Sequence, residues 1–343
     1  MSKITDKLKN TYRFIKRKNI DRLLLIVITL IFFGAALLML FEPNLNLPNA
    51  LWLMFATVTT VGYGDVSAQT LGGRVISVVV MVFGIGILGL FTAAIASVMV
   101  ERKMKEDRGM NSFEFEDHII ICMWNYRARE IIAELRMDRR TKENPIVLIA
   151  NLESKPVDDS LLYFIQGTVN EETLGRANLQ KAKTVVILGD DEIDAYARDA
   201  KVVLTTLTVE TLNPDVYSIV ELVDEANVQH CERANADEVI VGNTFSSRLI
   251  SRAAVDHGIS KVLSEFLSSK IGNDLSKMPV PKDMVGKPFI ELFTQLKREF
   301  NCTALAVQRG QTGKVISNPI ESFLLEEGDF LIVITSANQK ALC

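Results

Sequence analysis

Thr57-Val58-Thr59-Thr60-Val61-Gly62-Tyr63-Gly64-Asp65 is the stretch on which the reading of the whole chain turns. In an extended chain of L-residues, successive carbonyls and side chains alternate from face to face. Gly62 and Gly64 accept φ > 0 without steric penalty, so together they let the backbone break that alternation and aim successive carbonyls the same way. A row of such oxygens replaces the water shell of a cation that must cross a medium without water. One chain supplies only one side of such a path.

The flanks supply a membrane. The chain is 48% hydrophobic, and its longest apolar runs fall in the first hundred residues. Leu23 to Phe41 is uncharged and long enough to span a bilayer as a helix. Ahead of it, residues 1–22 form an arm with eight Lys or Arg against Asp6 and Asp21, which the positive-inside bias keeps cytoplasmic. A signal peptide has the same polarity, but its apolar core is shorter and ends in a small-residue cleavage site. Glu42 to Pro48 reads as a loop, and Leu51 to Thr59 as an apolar helix too short to span. Irregular backbone at membrane depth is tolerated only where protein or a watery cavity surrounds it, so this short helix is expected to lead into the glycine stretch. Its C-terminal partial negative charge favours a cation. Trp52 either packs behind that stretch or sits at the interface. Val75 to Val100 is the second spanning run and returns the chain to the cytoplasm. Gly84, Gly86 and Gly89 within it permit close helix packing or bending. No apolar run repeats arginines, so voltage sensing is not expected.

Thr60 to Gly64 spells TVGYG, and on that motif the chain resembles the potassium channels. The resemblance implies a filter made by Thr60, Val61, Gly62, Tyr63, Gly64 and Asp65. K⁺ would be held by the carbonyls of Thr60, Val61, Gly62 and Tyr63 with the Thr60 hydroxyl, in a homotetramer. It also implies a gating hinge at Gly84 and a multi-pass protein of the cell membrane with both termini cytoplasmic.

Residues 101–115 read as a charged linker. From Glu101 onward acids outnumber bases, which argues against nucleic-acid partners. Cys122, Cys231, Cys302 and Cys343 are scattered without a CxxC, a reduced cytosolic pattern. Six short β-branched runs, 118–122, 146–150, 163–166, 184–188, 217–222 and 238–241, alternate with helical segments 127–139, 170–177, 195–208 and 227–234. That alternation predicts a parallel, doubly wound, Rossmann-like sheet. A dinucleotide fold would carry GxGxxG after its first strand; here stands Cys122-Met123-Trp124-Asn125-Tyr126-Arg127, and the second strand ends at Asn151 instead of an acid. NAD in the standard mode is therefore disfavoured.

The strand order, the Trp124-Asn125 turn, Gln166-Gly167-Thr168 and Ala236 to Ile240 resemble an RCK domain, a regulator of K⁺ conductance. With the pore at 23–100, the resemblance implies a Rossmann-like subdomain at 116–243, a helical crossover for pairing at 244–270 and a small α/β subdomain at 271–343. Phe245, Leu249, Ile250, Val262, Leu263 and Phe266 would form the pairing face. The lobes would build a gating ring, with extra soluble RCK domains if Met110 serves as a second start.

The leading expectation is a ligand-gated K⁺ channel and not an enzyme. A membrane-anchored nucleotide-dependent enzyme lacks the glycines and a nucleophile–base pair; a transporter subunit needs more spans. Doubly wound folds bind ligands at the C-terminal ends of their strands, where Asp190, Asp191 and Glu192 face Glu221, Asp224 and Glu225 in the order of strands. Ca²⁺ takes six or more oxygens, so two acidic clusters suit it. In the calcium-gated channels that this chain resembles, the matching positions carry an Asp and two Glu; here only Glu221 matches, with Gly189 and Val223 at the others. A nucleotide in the crevice at Trp124, Asn125, Arg127 and Asn151 is the second expectation; Arg127 and Arg129 near the helix start could attract a phosphate, but are read first as solvated surface arginines.

Overall fold

The computed structural model describes residues 20–268, 272–311 and 313–336. The basic arm through Asn19, together with Ser269 and Cys343, lies outside the described residues. The chain divides into two compact units, Met1–Lys105 and Glu106–Cys343.

The first unit contains three helices, α1 (Ile20–Phe41), α2 (Leu47–Val58) and α3 (Leu71–Asp107). Two of them, α1 and α3, are long and apolar enough to cross a membrane, and most of their surface is exposed in the single chain, unlike a core helix of a soluble protein. The hydroxyls of Thr29 and Ser77 bond to the carbonyls of Leu25 and Gly73, so neither polar group is left bare among apolar neighbours. Ala35 and Leu38 of α1, Ala50, Met54 and Val58 of α2 and Val80 of α3 form the buried cluster. The short helix begins at Leu47, earlier than the expected Leu51. Asn46 caps it by accepting from Asn49 N–H at 3.1 Å, and Pro48 sits in the first turn, where its missing N–H costs nothing.

In the second unit, β1 (Ile119–Cys122), β2 (Ile146–Ala150), β3 (Leu162–Gln166), β4 (Thr184–Ile187), β5 (Tyr217–Leu222) and β6 (Glu238–Val241) pair in parallel in the order β3-β2-β1-β4-β5-β6. Every residue of β1 and β2 is buried, which explains runs with no polar alternation. Ile120, Val147 and Val185 face one way onto Val202 and Val209 of α6 (Ala195–Leu212); Ile121, Leu148 and Phe164 face the other way onto Ala128 and Ile132 of α4 (Tyr126–Met137). Between β3 and β4 lies α5 (Glu171–Arg176), and α7 (Val228–Arg233) precedes β6. The expected crossover consists of two helices, α8 (Gly242–Val255) and α9 (Ile259–Leu267), broken at Gly258, whose φ is +102°. Neither buries a residue in the single chain; Phe245, Ile250 and Val262 are exposed.

The C-terminal part adds a four-stranded antiparallel sheet, β7 (Asn273–Pro279), β10 (Phe330–Ser336), β8 (Thr303–Gln308) and β9 (Val315–Ser317) in that order, backed by α10 (Phe289–Phe300). Its core holds Phe289, Leu292, Leu296, Val307, Leu331 and Val333.

Candidate functional site

After α2 the backbone alternates in sign. Thr60 takes φ +62°, Gly62 +56° and Gly64 +76°. The glycines were expected there; Thr60, an L-residue in the left-handed region, was not. Its signal was the phase of the repeat, since 60, 62 and 64 are alternate positions. Val61 and Gly62 N–H both donate back to the Ala56 carbonyl, at 3.0 and 3.2 Å. Among the described residues no protein donor takes up the carbonyls of Thr60, Val61, Gly62 or Tyr63.

Neighbouring side chains brace this segment. The Trp52 indole stacks on Tyr63 with ring centres 5.4 Å apart and planes 7° from parallel, and its N–H donates to Asp65 Oδ2 at 2.8 Å. Trp52 thus packs against the glycine stretch. Farther on, Glu42 Oε1 accepts from Gln69 N–H and Thr70 N–H, both at 2.7 Å, just ahead of α3, and Thr70 Oγ1 caps that helix by accepting from Gly73 N–H at 3.0 Å. Gly84 is buried against α2: a Cβ there would lie 3.3 Å from Val58 Cα, whereas Gly86 and Gly89 have open space. Close packing accounts for a glycine at 84 without a hinge.

The second candidate lies at the C-terminal ends of the parallel strands. Asn125 is buried and does two jobs there: Oδ1 accepts from Ala128 N–H at 2.9 Å, capping α4, and Nδ2 donates to the Gly189 carbonyl at 2.8 Å. Met123, at the end of β1, takes φ +82° where a dinucleotide fold has glycine. Trp124, Asn125 and Asn151 line a cavity of about 370 Å³ with Asp190, Asp191, Glu192 and Lys201. Arg127 is not among its lining residues.

Arg127 instead pairs with two of the acids. Its Nη2 lies 2.5 Å from Asp191 Oδ1 and its Nε 2.5 Å from Glu221 Oε1. Burial by itself would lower the Arg127 pKa, but the bonds to Asp191 and Glu221 outweigh it and raise it. Arg198 of α6 adds a second guanidinium, 2.6 Å from Asp191 Oδ1 and 3.9 Å from Glu221 Oε2. Lys201 pairs with Asp190 at 3.0 Å; burial would raise the Asp190 pKa, and that bond with the Glu192 amide brings it below the usual range. Asp224 caps the following turn through Ala226 N–H at 2.9 Å, and Glu225 pairs with Arg248 at 3.1 Å. The two clusters therefore do not converge as ligands: among the described residues no three His, Cys, Asp or Glu side chains are grouped to hold a metal ion.

Sequence reasoning missed Arg198, Lys201 and Asp199. The last is buried and accepts from Val223 N–H, Asp224 N–H and Asn227 Nδ2 at 2.9 to 3.0 Å, which fixes the turn after β5. All three fall in Arg198-Asp199-Ala200-Lys201, a charged tetrad opening a helix at the strand ends. Cys122 lines a separate, adjoining cavity with Ile187, Arg198 and Val202, and burial pushes its thiol up to about 12, which disfavours the reactive thiolate.

Comparison with known proteins places both halves. Residues 25–101 match the ion channel family, and residues 114–220 match the calcium-activated potassium channel slowpoke-like RCK domain. The chain is 32% identical over 299 residues to the calcium-gated potassium channel TvoK of Thermoplasma volcanium, covering 86% of this chain and 83% of that one. It is 27% identical over 320 residues to the putative potassium channel protein YugO of Bacillus subtilis, covering 91% and 95%. Among solved structures the human SLO3 gating ring superposes with a TM-score of 0.51 at 15% identity, over 64% of this chain and 44% of that one, a likeness of fold. The chain belongs to the potassium channels that carry an RCK domain.

Proposed function

We propose that this chain is the subunit of a K⁺-selective homotetrameric channel of the cell membrane, with both termini cytoplasmic, opened or closed by ligand binding to a ring of its RCK lobes. The observation that carries the pore reading is the alternation of positive φ at Thr60, Gly62 and Gly64 with four carbonyls that no donor among the described residues claims. Each subunit gives one strip of oxygens, and four strips close a cage around a dehydrated K⁺. The relatives are potassium channels, and the reading assigns no catalytic step. The test is the reversal potential of reconstituted channels between K⁺ and Na⁺; a value near zero sinks the reading.

For the ligand we take Ca²⁺, supported by the similarity to a channel described as calcium-gated. The acids Asp190, Asp191, Glu192, Glu221, Asp224 and Glu225 serve only if Arg127 and Arg198 move aside, because their guanidinium groups fill the space between Asp191 and Glu221. One observation favours a nucleotide as the second reading: the cavity at Trp124, Asn125 and Asn151 is large enough for a small ligand and lies at the strand ends, where such folds bind them. Single-channel recording with cytoplasmic Ca²⁺ stepped from none to millimolar separates the two; a flat response moves nucleotides to first place. Soluble RCK partners started at Met110 would add lobes to the ring; a short product on denaturing gels from the unmodified gene that Met110→Leu abolishes would support them, and none in either means a plain tetramer.

A further inference from the structure

From Asp107, the last residue of α3, to Asp117 the chain is neither helix nor strand, yet every second residue is fixed to the lobe through its backbone. Lys155 N–H donates to the Asp107 carbonyl at 2.8 Å and Gln166 N–H to the Gly109 carbonyl at 3.1 Å. Arg176 Nη2 donates to the carbonyls of both Gly109 and Asn111, the latter at 3.0 Å. Phe113 N–H donates to the Arg176 carbonyl at 2.8 Å, Asn178 Nδ2 to the Phe115 carbonyl at 2.8 Å, and Asp117 N–H to the Lys181 carbonyl at 2.9 Å. Between these points Phe113 and Phe115 pack on Tyr163, with ring centres at 5.1 and 4.4 Å. Gly109 is buried with φ +63°, and a Cβ there would lie 2.3 Å from Gln166 N, so the strap lies closer to β3 than any other residue would allow.

A free linker of about ten residues has an end-to-end distance of roughly 17 Å and absorbs a displacement of a few ångströms as slack. We propose that Arg176 is a positioning residue of gating: by clamping Gly109 and Asn111 to the lobe it removes that slack, so that lobe movement enters α3 at its last turn. The proposal rests on the gated-channel reading above. Arginine suits the task because the two N–H bonds of Nη2 are fixed in the guanidinium plane, one for each carbonyl, whereas a lysine ammonium rotates on a flexible stem.

The test uses the full-length channel in lipid, as wild type, Arg176→Gln, Arg176→Lys, Gly109→Ala and the surface control Arg139→Gln. Hydrogen exchange of residues 109–117 is expected to quicken about tenfold in Arg176→Gln, the equivalent of one charge-assisted hydrogen bond, and less in Arg176→Lys. The open probability in Ca²⁺-free solution is expected to shift by about fivefold in Arg176→Gln and Gly109→Ala, a typical coupling between sites, and not in the control. Faster exchange with unchanged open probability makes the strap a structural fixture and overturns the proposal, as does unchanged exchange. Should Arg176→Gln fail to fold, Gly109→Ala decides by the same two readings. A flat Ca²⁺ response in the wild type overturns the Ca²⁺ assignment alone, because the strap is judged without the ligand.

Discussion

Trp52 and Asp65 are joined by a 2.8 Å hydrogen bond from the indole N–H to the carboxylate, and the same indole stacks on Tyr63. One side chain of the short helix thereby touches both the filter stretch and the residue that ends it. Replacing Trp52 with Phe keeps a ring for Tyr63 but deletes the donor, at about 1 kcal/mol for a partly exposed bond. The expected outcome is retained K⁺ selectivity with a several-fold faster lapse into a non-conducting state, read from sustained single-channel records.

Gly62→Ala is expected to abolish selective conduction. The left-handed backbone costs an L-residue roughly 1–2 kcal/mol, in each subunit of the proposed tetramer. A Cβ at 62 meets nothing within 4 Å in the single chain, so the penalty is conformational and not a clash within the subunit. The K⁺/Na⁺ reversal potential is the measurement, and an unchanged value in the variant would refute the filter assignment.

Arg127→Ala tests whether a divalent cation binds between Asp191 and Glu221. If it does, the guanidinium is a competitor, and its removal lowers the Ca²⁺ concentration for half-activation by about threefold, the equivalent of ~0.7 kcal/mol for a half-exposed pair. Glu221→Gln is expected to raise that concentration. Open probability against Ca²⁺ in both variants decides the point; opposite shifts support the site and parallel ones do not.

Glu210, on α6, is buried with its Oε1 unpartnered. Burial raises its pKa, the charge of Asp237 adds to the rise, and a bond to Ser218 opposes it. A carboxyl whose folded pKa is raised contributes stability below its unfolded value and loses it as the pH climbs through the folded one. Glu210→Gln is therefore expected to melt higher than wild type at pH 8, with the gap closing toward pH 4, in thermal unfolding of the purified channel.

The sheet was legible because strands buried on both faces must be apolar throughout, as in Ile119 to Cys122 and Ile146 to Ala150. The edge strand β7 was not: Asn273 to Pro279 carries only Leu275 and Met278 as large apolar residues, and it is held by pairing with β10 along its whole length. Pro48 looked like a helix breaker and lies in a first turn. Gly62 and Gly64 announced themselves, whereas Thr60 was marked only by its phase with them, since threonine itself rarely takes φ > 0. The ion pairs of Arg127 were hidden for a topological reason. Residues 127, 191, 198 and 221 meet only because β1, β4 and β5 are neighbours in the sheet, and their separation along the chain carries no trace of that.

Gly189 has a consequence for how this site can change over generations. Arg198 lies across it so closely that a Cβ at 189 would sit 2.1 Å from Nε. A side chain at 189 therefore requires Arg198 to swing away or to be replaced by a shorter residue. Either change loosens the hold of Arg198 on Asp191 and Glu221 and leaves Arg127 as their remaining partner. The residues at 189 and 198 are thus coupled, and a change at one constrains the other.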